Sequence, residues 1–237
     1  MDLEHIEEYI KRFVRFYDIN EHEYRDQLEG NILGIIHIDK DVLSLVDIDG
    51  INLGMLACDY GLDKVVELSL DDEKASLQQY CYGMNICMHA AINQLEDLTL
   101  KALENVEASL QQDVYGMNIG MHAACNGLEK AVIKSLDNEK ASLQQDRYGD
   151  NIGMFSAIYK MEKAVLKALD NPKASVQQNK KGENIGILAG RNDMTRAVKK
   201  ALYNTFARKQ TTKYGQKIAD YEFSSLCDLE DESEKNV

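Results

Sequence analysis

The sequence predicts an all-α fold, a solenoid of stacked helix–turn–helix units joined by short turn or hairpin tips. Three observations carry that expectation. Glycine recurs every 33 residues at Gly50, Gly83, Gly116, Gly149, Gly182 and Gly215, with no insertion. Asparagine follows two places later at Asn52, Asn85, Asn118, Asn151 and Asn184, and the string ASLQQ stands in one phase at 75–79, 108–112 and 141–145, returning as ASVQQ at 174–178. A single proline and no tryptophan, among many Ala, Leu, Lys and Glu, favour helix over sheet. A period of this length marks a repeat architecture, in which one repeat cannot bury its apolar face alone and stacking builds the core.

The elements follow in chain order. Residues 1–46 are expected to form a helical N-terminal cap, because end repeats need a polar outer face. Within it, residues 3–17 read as an amphipathic helix and 28–46 as the second half of a degenerate repeat. Five full repeats come next, at 47–79, 80–112, 113–145, 146–178 and 179–211, with a partial one at 212–226. In repeat 113–145, Asp113 to Met117 is turn chemistry around a glycine. Asn118 suits an N-cap, since its side-chain oxygen accepts an orphan N–H of the first turn. A first helix is expected over Ile119 to Cys125, and Asn126-Gly127 is its stop. Leu128 to Leu136 reads as a second helix, with Leu128, Ala131, Val132 and Leu136 on one face. Lys134–Asp137 reads as an i,i+3 ion pair, repeated as Lys101–Glu104 and Lys167–Asp170. NEKASLQQ reads as a polar loop to the next repeat. Glycine within the first helix at Gly54, Gly120, Gly153 and Gly186 points to close helix packing there. Residues 227–237 read as an acidic tail.

The repeat resembles the ankyrin repeat, whose consensus is roughly D-x-x-G-x-T-P-L-H-x-A-A-x-x-G. Asp113, Gly116, Ala123, Ala124 and Gly127 match it directly, and Asn118 stands at the threonine position. The usual T-P-L-H is replaced by Asn118-Ile119-Gly120-Met121, and its proline is missing from every repeat. The family's threonine–histidine hydrogen bonding therefore does not carry over. Asparagine caps and amide contacts from the paired glutamines are expected in its place. The resemblance covers residues 47–226 and implies a non-catalytic scaffold that binds another protein. The glutamate-rich end, Leu229 to Glu234, looks like that of effectors which intracellular bacteria deliver by type IV secretion. A cytoplasmic protein, or one secreted into a host cell, is the matching expectation.

Composition excludes several classes. The formal charge of −13 argues against general nucleic-acid binding and against non-specific attraction to anionic membranes. No run approaches the roughly 18 apolar residues of a spanning helix. The five cysteines form no C-x-x-C pair and fit free thiols. His89 and His122 share one place in neighbouring repeats, where stacked helices lie about 8–10 Å apart. A zinc ion needs ligands at about 2.0–2.3 Å, so no metal is expected and the position reads as packing. Gly116-x-Asn118-x-Gly120 lacks the Gly-Lys-Ser/Thr ending of a phosphate loop. No nucleophile–base arrangement stands out; no catalytic residue and no cofactor are expected.

A binding surface is expected at the turn tips and at the ends of the first helices, the places through which proteins resembling ankyrin repeats usually meet partners. The register assigns there Tyr82, Met84 and Ile92, Tyr115, Met117 and Cys125, and Arg147, Tyr148, Ile158 and Tyr159. Tyrosine, methionine and arginine are enriched at interface cores. Tyrosines at successive tips also have a purely architectural use, stacking on one another to stiffen the edge. A second reading is a nucleic-acid or anionic-lipid contact through the basic last repeat, where Arg191, Arg196, Lys199, Lys200, Arg208, Lys209, Lys213 and Lys217 cluster.

Overall fold

A computed structural model describes residues 3–221. These residues fold into sixteen α-helices and three short 3-10 turns, with no strand among the described residues. The chain divides into two compact bodies, residues 1–114 and 115–237. The segment 227–237, which carries the acidic-tail and secretion expectations, lies outside the described residues.

The first body opens with α1 (Leu3–Phe16), whose Leu3, Ile6, Ile10 and Phe13 are buried at 3–4 spacing, and α2 (His22–Ile38), which buries Leu28, Ile32 and Ile36. A 3-10 turn over Lys40–Ser44 leads to α3 (Leu53–Tyr60), α4 (Asp63–Asp71), α5 (Glu73–Leu77), α6 (Ile86–Ile92), α7 (Glu96–Ala102) and α8 (Val106–Leu110). α3 packs against α4 and against α6, and α6 against α7. Ile6, Ile10, Leu28, Leu53, Met55, Val65 and Ile86 make one buried cluster.

The second body contains α9 (Ile119–Cys125), α10 (Glu129–Ser135), α11 (Glu139–Leu143), α12 (Ile152–Ile158), α13 (Glu162–Ala168), α14 (Pro172–Val176), α15 (Ile185–Arg191) and α16 (Thr195–Leu202). Its last described elements are 3-10 turns at Ala207–Lys209 and Ile218–Tyr221. Helices again pack in neighbouring pairs, α9 with α10 and α12, and α12 with α13 and α15.

The sequence expectation of two helices and a polar loop per repeat is corrected by the structure. The NEKASLQQ segment is helical, so α5, α8, α11 and α14 give each of the first four full repeats a third, five-residue helix, and the fifth has a 3-10 turn at Ala207–Lys209 in its place. Its cause is local. The oxygens of Asp72, Asn105, Asn138 and Asn171 accept the N–H groups of Ala75, Ala108, Ala141 and Ala174 as N-caps. Asn105 and Asn171 also donate to the Ser76 and Ser142 hydroxyls, 29 residues back, tying α8 to α5 and α14 to α11. A helix this short is marginal in isolation, and these side-chain bonds supply what length does not.

The buried asparagines make the deepest polar contacts. Asn52, Asn85, Asn118, Asn151 and Asn184 are fully buried. Asn118 Oδ1 accepts the Met121 N–H at 3.1 Å, while Nδ2 donates to Ala141 O at 3.1 Å and to Gln144 Oε1 at 2.8 Å. Asn151 repeats the set with Met154, Ala174 and Gln177. The glutamine amide then donates to the preceding repeat, Gln111 to Leu77 O, Gln177 to Leu143 O and Gln210 to Val176 O. One asparagine–glutamine amide pair thus caps a first helix, closes its own third helix and reaches the repeat before it. Asparagine caps and amide contacts from the paired glutamines were the sequence expectation.

Two other positions are governed by space. A Cβ added to Gly153 would stand 2.5 Å from Ile185 Cδ1 and 2.7 Å from Ala168 Cβ, so the helix glycine allows close packing. At the tip, Gly149 has φ +85° and its Cβ would meet the Asn179 backbone at 3.0 Å.

The expected i,i+3 pairing of Lys167 with Asp170 is also corrected. Lys167 pairs with Asp137, and Asp170 with Lys200 at 2.6 Å. Lys101 likewise reaches Asp71 at 2.9 Å. These cations span 30 residues back to the neighbouring repeat. The long lysine stem lies across the packed second helices, where the earlier carboxylate is closer than one on its own turn.

Replacing Asn118 by alanine is expected to cost about 2–4 kcal/mol, because a cap is lost and buried acceptors are left bare. Asn138→Ala, which removes a half-buried cap, is expected to cost about 1 kcal/mol. Urea denaturation of both variants checks the ordering; equal costs would contradict it.

Candidate binding surface

The tips are built from one turn. In the second body, Asp146 Oδ1 accepts the Tyr148 and Asp150 N–H groups, and Asn179 Oδ1 those of Lys181 and Glu183. Thr212 Oγ1 does the same for Tyr214 and Gln216. Successive tips are joined through backbone, Arg147 N to Tyr115 O and Lys180 N to Tyr148 O, each at 2.8 Å. The side chain immediately before each of these glycines, Tyr115, Tyr148, Lys181 and Tyr214, is exposed on that fixed backbone.

The residues assigned from the repeat register lie at the surface. In the first body Tyr82 is 56% exposed and Ile92 is exposed at the end of α6, while Met84 is half-buried. In the second body Tyr115 is 45% and Tyr148 54% exposed. Arg147, Ile158 and Tyr159 are exposed, and Met117 and Cys125 half-buried.

Their contacts differ from simple tyrosine stacking. The Arg147 guanidinium lies 4.6 Å from the Tyr115 ring centre and 4.7 Å from that of Tyr148. Its Nη2 also donates to Tyr148 Oη at 2.6 Å. The two rings therefore hold an arginine between them by cation–π attraction. At the ends of the first helices, Tyr159 hydrogen-bonds to Cys125 of the preceding repeat and stacks on Phe155 at 6.5 Å. Tyr82 packs edge-on against Tyr80 at 5.5 Å.

Sequence reasoning passed over Asp59 and Tyr80. His89 Nδ1 lies 3.6 Å from Asp59 Oδ1, Tyr80 meets the imidazole edge-on at 5.4 Å, and Asn93 donates to Asp59 at 3.0 Å. Burial opposes ionisation of Asp59, but the His89 and Asn93 contacts win and its carboxyl lies below the usual range. His89 Nε2 is buried without a hydrogen-bond partner. Asp59 occupies the place of Ile92, Cys125, Ile158 and Arg191 in the register, and that position was the signal that could have found it. His122, at the place of His89 in the register, is buried at 8% exposure.

Part of the basic last repeat is internally engaged. Arg191 pairs with buried Glu183 and donates to Gln216, Arg196 lies 3.6 Å from Glu162, and Lys200 is held by Asp170. Among the described residues no group of three or more His, Cys, Asp or Glu side chains is arranged around a common point, and no helix is long and apolar enough to cross a membrane.

Comparison of the chain with protein-family models and with curated proteins returns no match. The functional reading therefore rests on the residues themselves.

The cysteines separate by environment. Burial pushes the Cys87 thiol up to about 12 and the Cys58 thiol well above its usual value. Burial also raises Cys125, against the lowering effect of its Tyr159 bond, whereas Cys81 is exposed. In a Cys227→Ser variant at neutral pH, a chromogenic disulfide reagent is expected to consume Cys81 first and Cys125 slowly. Cys58 and Cys87 are expected to react only after denaturant is added. Rapid reaction of all four in the native protein would contradict the placement.

Proposed function

We propose that this chain is an ankyrin-type repeat solenoid, capped by residues 1–46 and running through 47–226, that serves as a non-catalytic scaffold for another protein. The observation that carries the reading is the exposure of Tyr82, Tyr115 and Tyr148 at one register position, immediately before glycines that hold the tip turn. Neighbouring positions of the same repeat, Asn118, Ile119 and Met121, are wholly buried. Large aromatic side chains kept in water beside a rigid backbone support a contact role. They bring area at low conformational cost and are common hot spots. Half-buried Met84 and Met117 add adaptable apolar surface beside them.

The alternative contact with nucleic acid or anionic lipid through the last repeat is less well supported, because Arg191, Arg196 and Lys200 already satisfy carboxylates of the chain.

The test is affinity capture with mass spectrometry, followed by titration of the captured protein against a Tyr82→Ala, Tyr115→Ala, Tyr148→Ala variant. Affinity is expected to fall by at least about tenfold while the helical circular dichroism signal stays. Unchanged affinity in the folded variant would remove the tip tyrosines from the interface.

A further inference from the structure

The tips of the second body sort their charges by sign. Every acid in the turns is drawn inward. Asp146 is 9% exposed and accepts two backbone N–H groups. Asp150 is half-buried and bound by Asn179 at 2.8 Å. Glu183 is 2% exposed and takes Arg191 and Asn179. Every cation of the same turns points out: Arg147, Lys180, Lys181 and Lys213 are exposed and form no ion pair among the described residues. Lys181 feels the Asp150 charge without bonding to it. The cations sit on consecutive tips joined by backbone hydrogen bonds, Lys180 N to Tyr148 O and Lys213 N to Lys181 O. In a chain of net charge −13, this edge is a local reversal of sign.

We infer that the tip edge of the second body, from Arg147 through Lys180 and Lys181 to Lys213, binds an extended acidic peptide segment of a partner protein. This rests on the scaffold reading above and names the chemistry of its partner. Arg147 is the anchor. The two tyrosine rings hold its planar guanidinium in place before a ligand arrives, so less rotamer freedom is lost on pairing with a carboxylate. The lysines extend the positive line along neighbouring tips, which steers an acidic segment and fixes its direction. A single-stranded nucleic acid fits less well. It binds by stacking bases on open aromatic faces, and here Tyr115 and Tyr148 each lie against Arg147.

The test uses the full chain and a fluorescein-labelled synthetic peptide of about 12 residues alternating glutamate and serine, followed by fluorescence anisotropy. Saturable binding is expected at about 50 mM salt, and clear weakening at about 300 mM. The variant Arg147→Gln, Lys180→Gln, Lys181→Gln, Lys213→Gln is expected to weaken it about tenfold or more. A control removing the same charge elsewhere, Lys74→Gln, Lys140→Gln, Lys160→Gln, Lys163→Gln, is expected to change it by about twofold at most. If the four-site variant does not fold, the pair Lys180→Gln, Lys181→Gln reads the same effect. Absence of saturable binding, equal weakening by both variants, or tighter binding of oligothymidylate than of the peptide would each overturn the inference. If the peptide fails while a captured partner still depends on the tip tyrosines, the scaffold reading stands and only the acidic chemistry falls.

Discussion

A primary amide sealed from water must find partners for one oxygen and two N–H groups, and this protein places such an amide at the same point of every repeat. An unmade hydrogen bond there costs about 1–3 kcal/mol, so the surrounding backbone is strongly constrained. For Asn151 the oxygen fixes where α12 starts, and the two N–H groups fix where α14 ends and where Gln177 lies. Gln177 in turn reaches Leu143 of the repeat before. Register, helix start and repeat-to-repeat spacing are thus set together by one asparagine–glutamine pair. The apolar core supplies most of the burial, but Ile, Val, Met and Ala side chains tolerate small slips that an amide does not.

That constraint propagates to the surface. Fixing the first helix start fixes the tip two residues earlier, where a glycine at positive φ lets one tip backbone approach the next. The tip then has a stiff backbone and an outward side chain just before the glycine. Its chemistry is free to vary, as Tyr82, Tyr115, Tyr148, Lys181 and Tyr214 do at one position, without disturbing the frame. This division between a fixed amide frame and a variable edge links the fold to the proposed scaffold role.

Much of the frame is legible in the sequence, and the reasons are physical. Gly116 and Asn118 recur because positive φ and capping leave little choice of residue. The first helix over Ile119–Cys125 is bounded by that cap and by Asn126. The third helix was hidden, because five residues such as EKASL show no apolar period and read as loop until the Asn138 cap and the bond from Asn171 to Ser142 are seen. The lysine pairs were misread for a related reason: spacing along one helix is visible in sequence, whereas a carboxylate 30 residues earlier is visible only through the stack. At the candidate surface, exposure of Tyr82, Tyr115 and Tyr148 followed from register alone. The seating of Arg147 between two rings, and the inward turn of Asp146, Asp150 and Glu183, depend on side-chain directions that spacing does not encode.

The most direct measurement of the central claim is a double-mutant cycle on the buried amide pair: Asn151→Ala, Gln177→Ala and the double variant, each unfolded in urea. If the pair sets the frame, the two single costs are strongly non-additive, with a coupling of about 1–2 kcal/mol. Costs that simply add, to within about 0.3–0.5 kcal/mol, would show that the two amides act independently and would contradict the account.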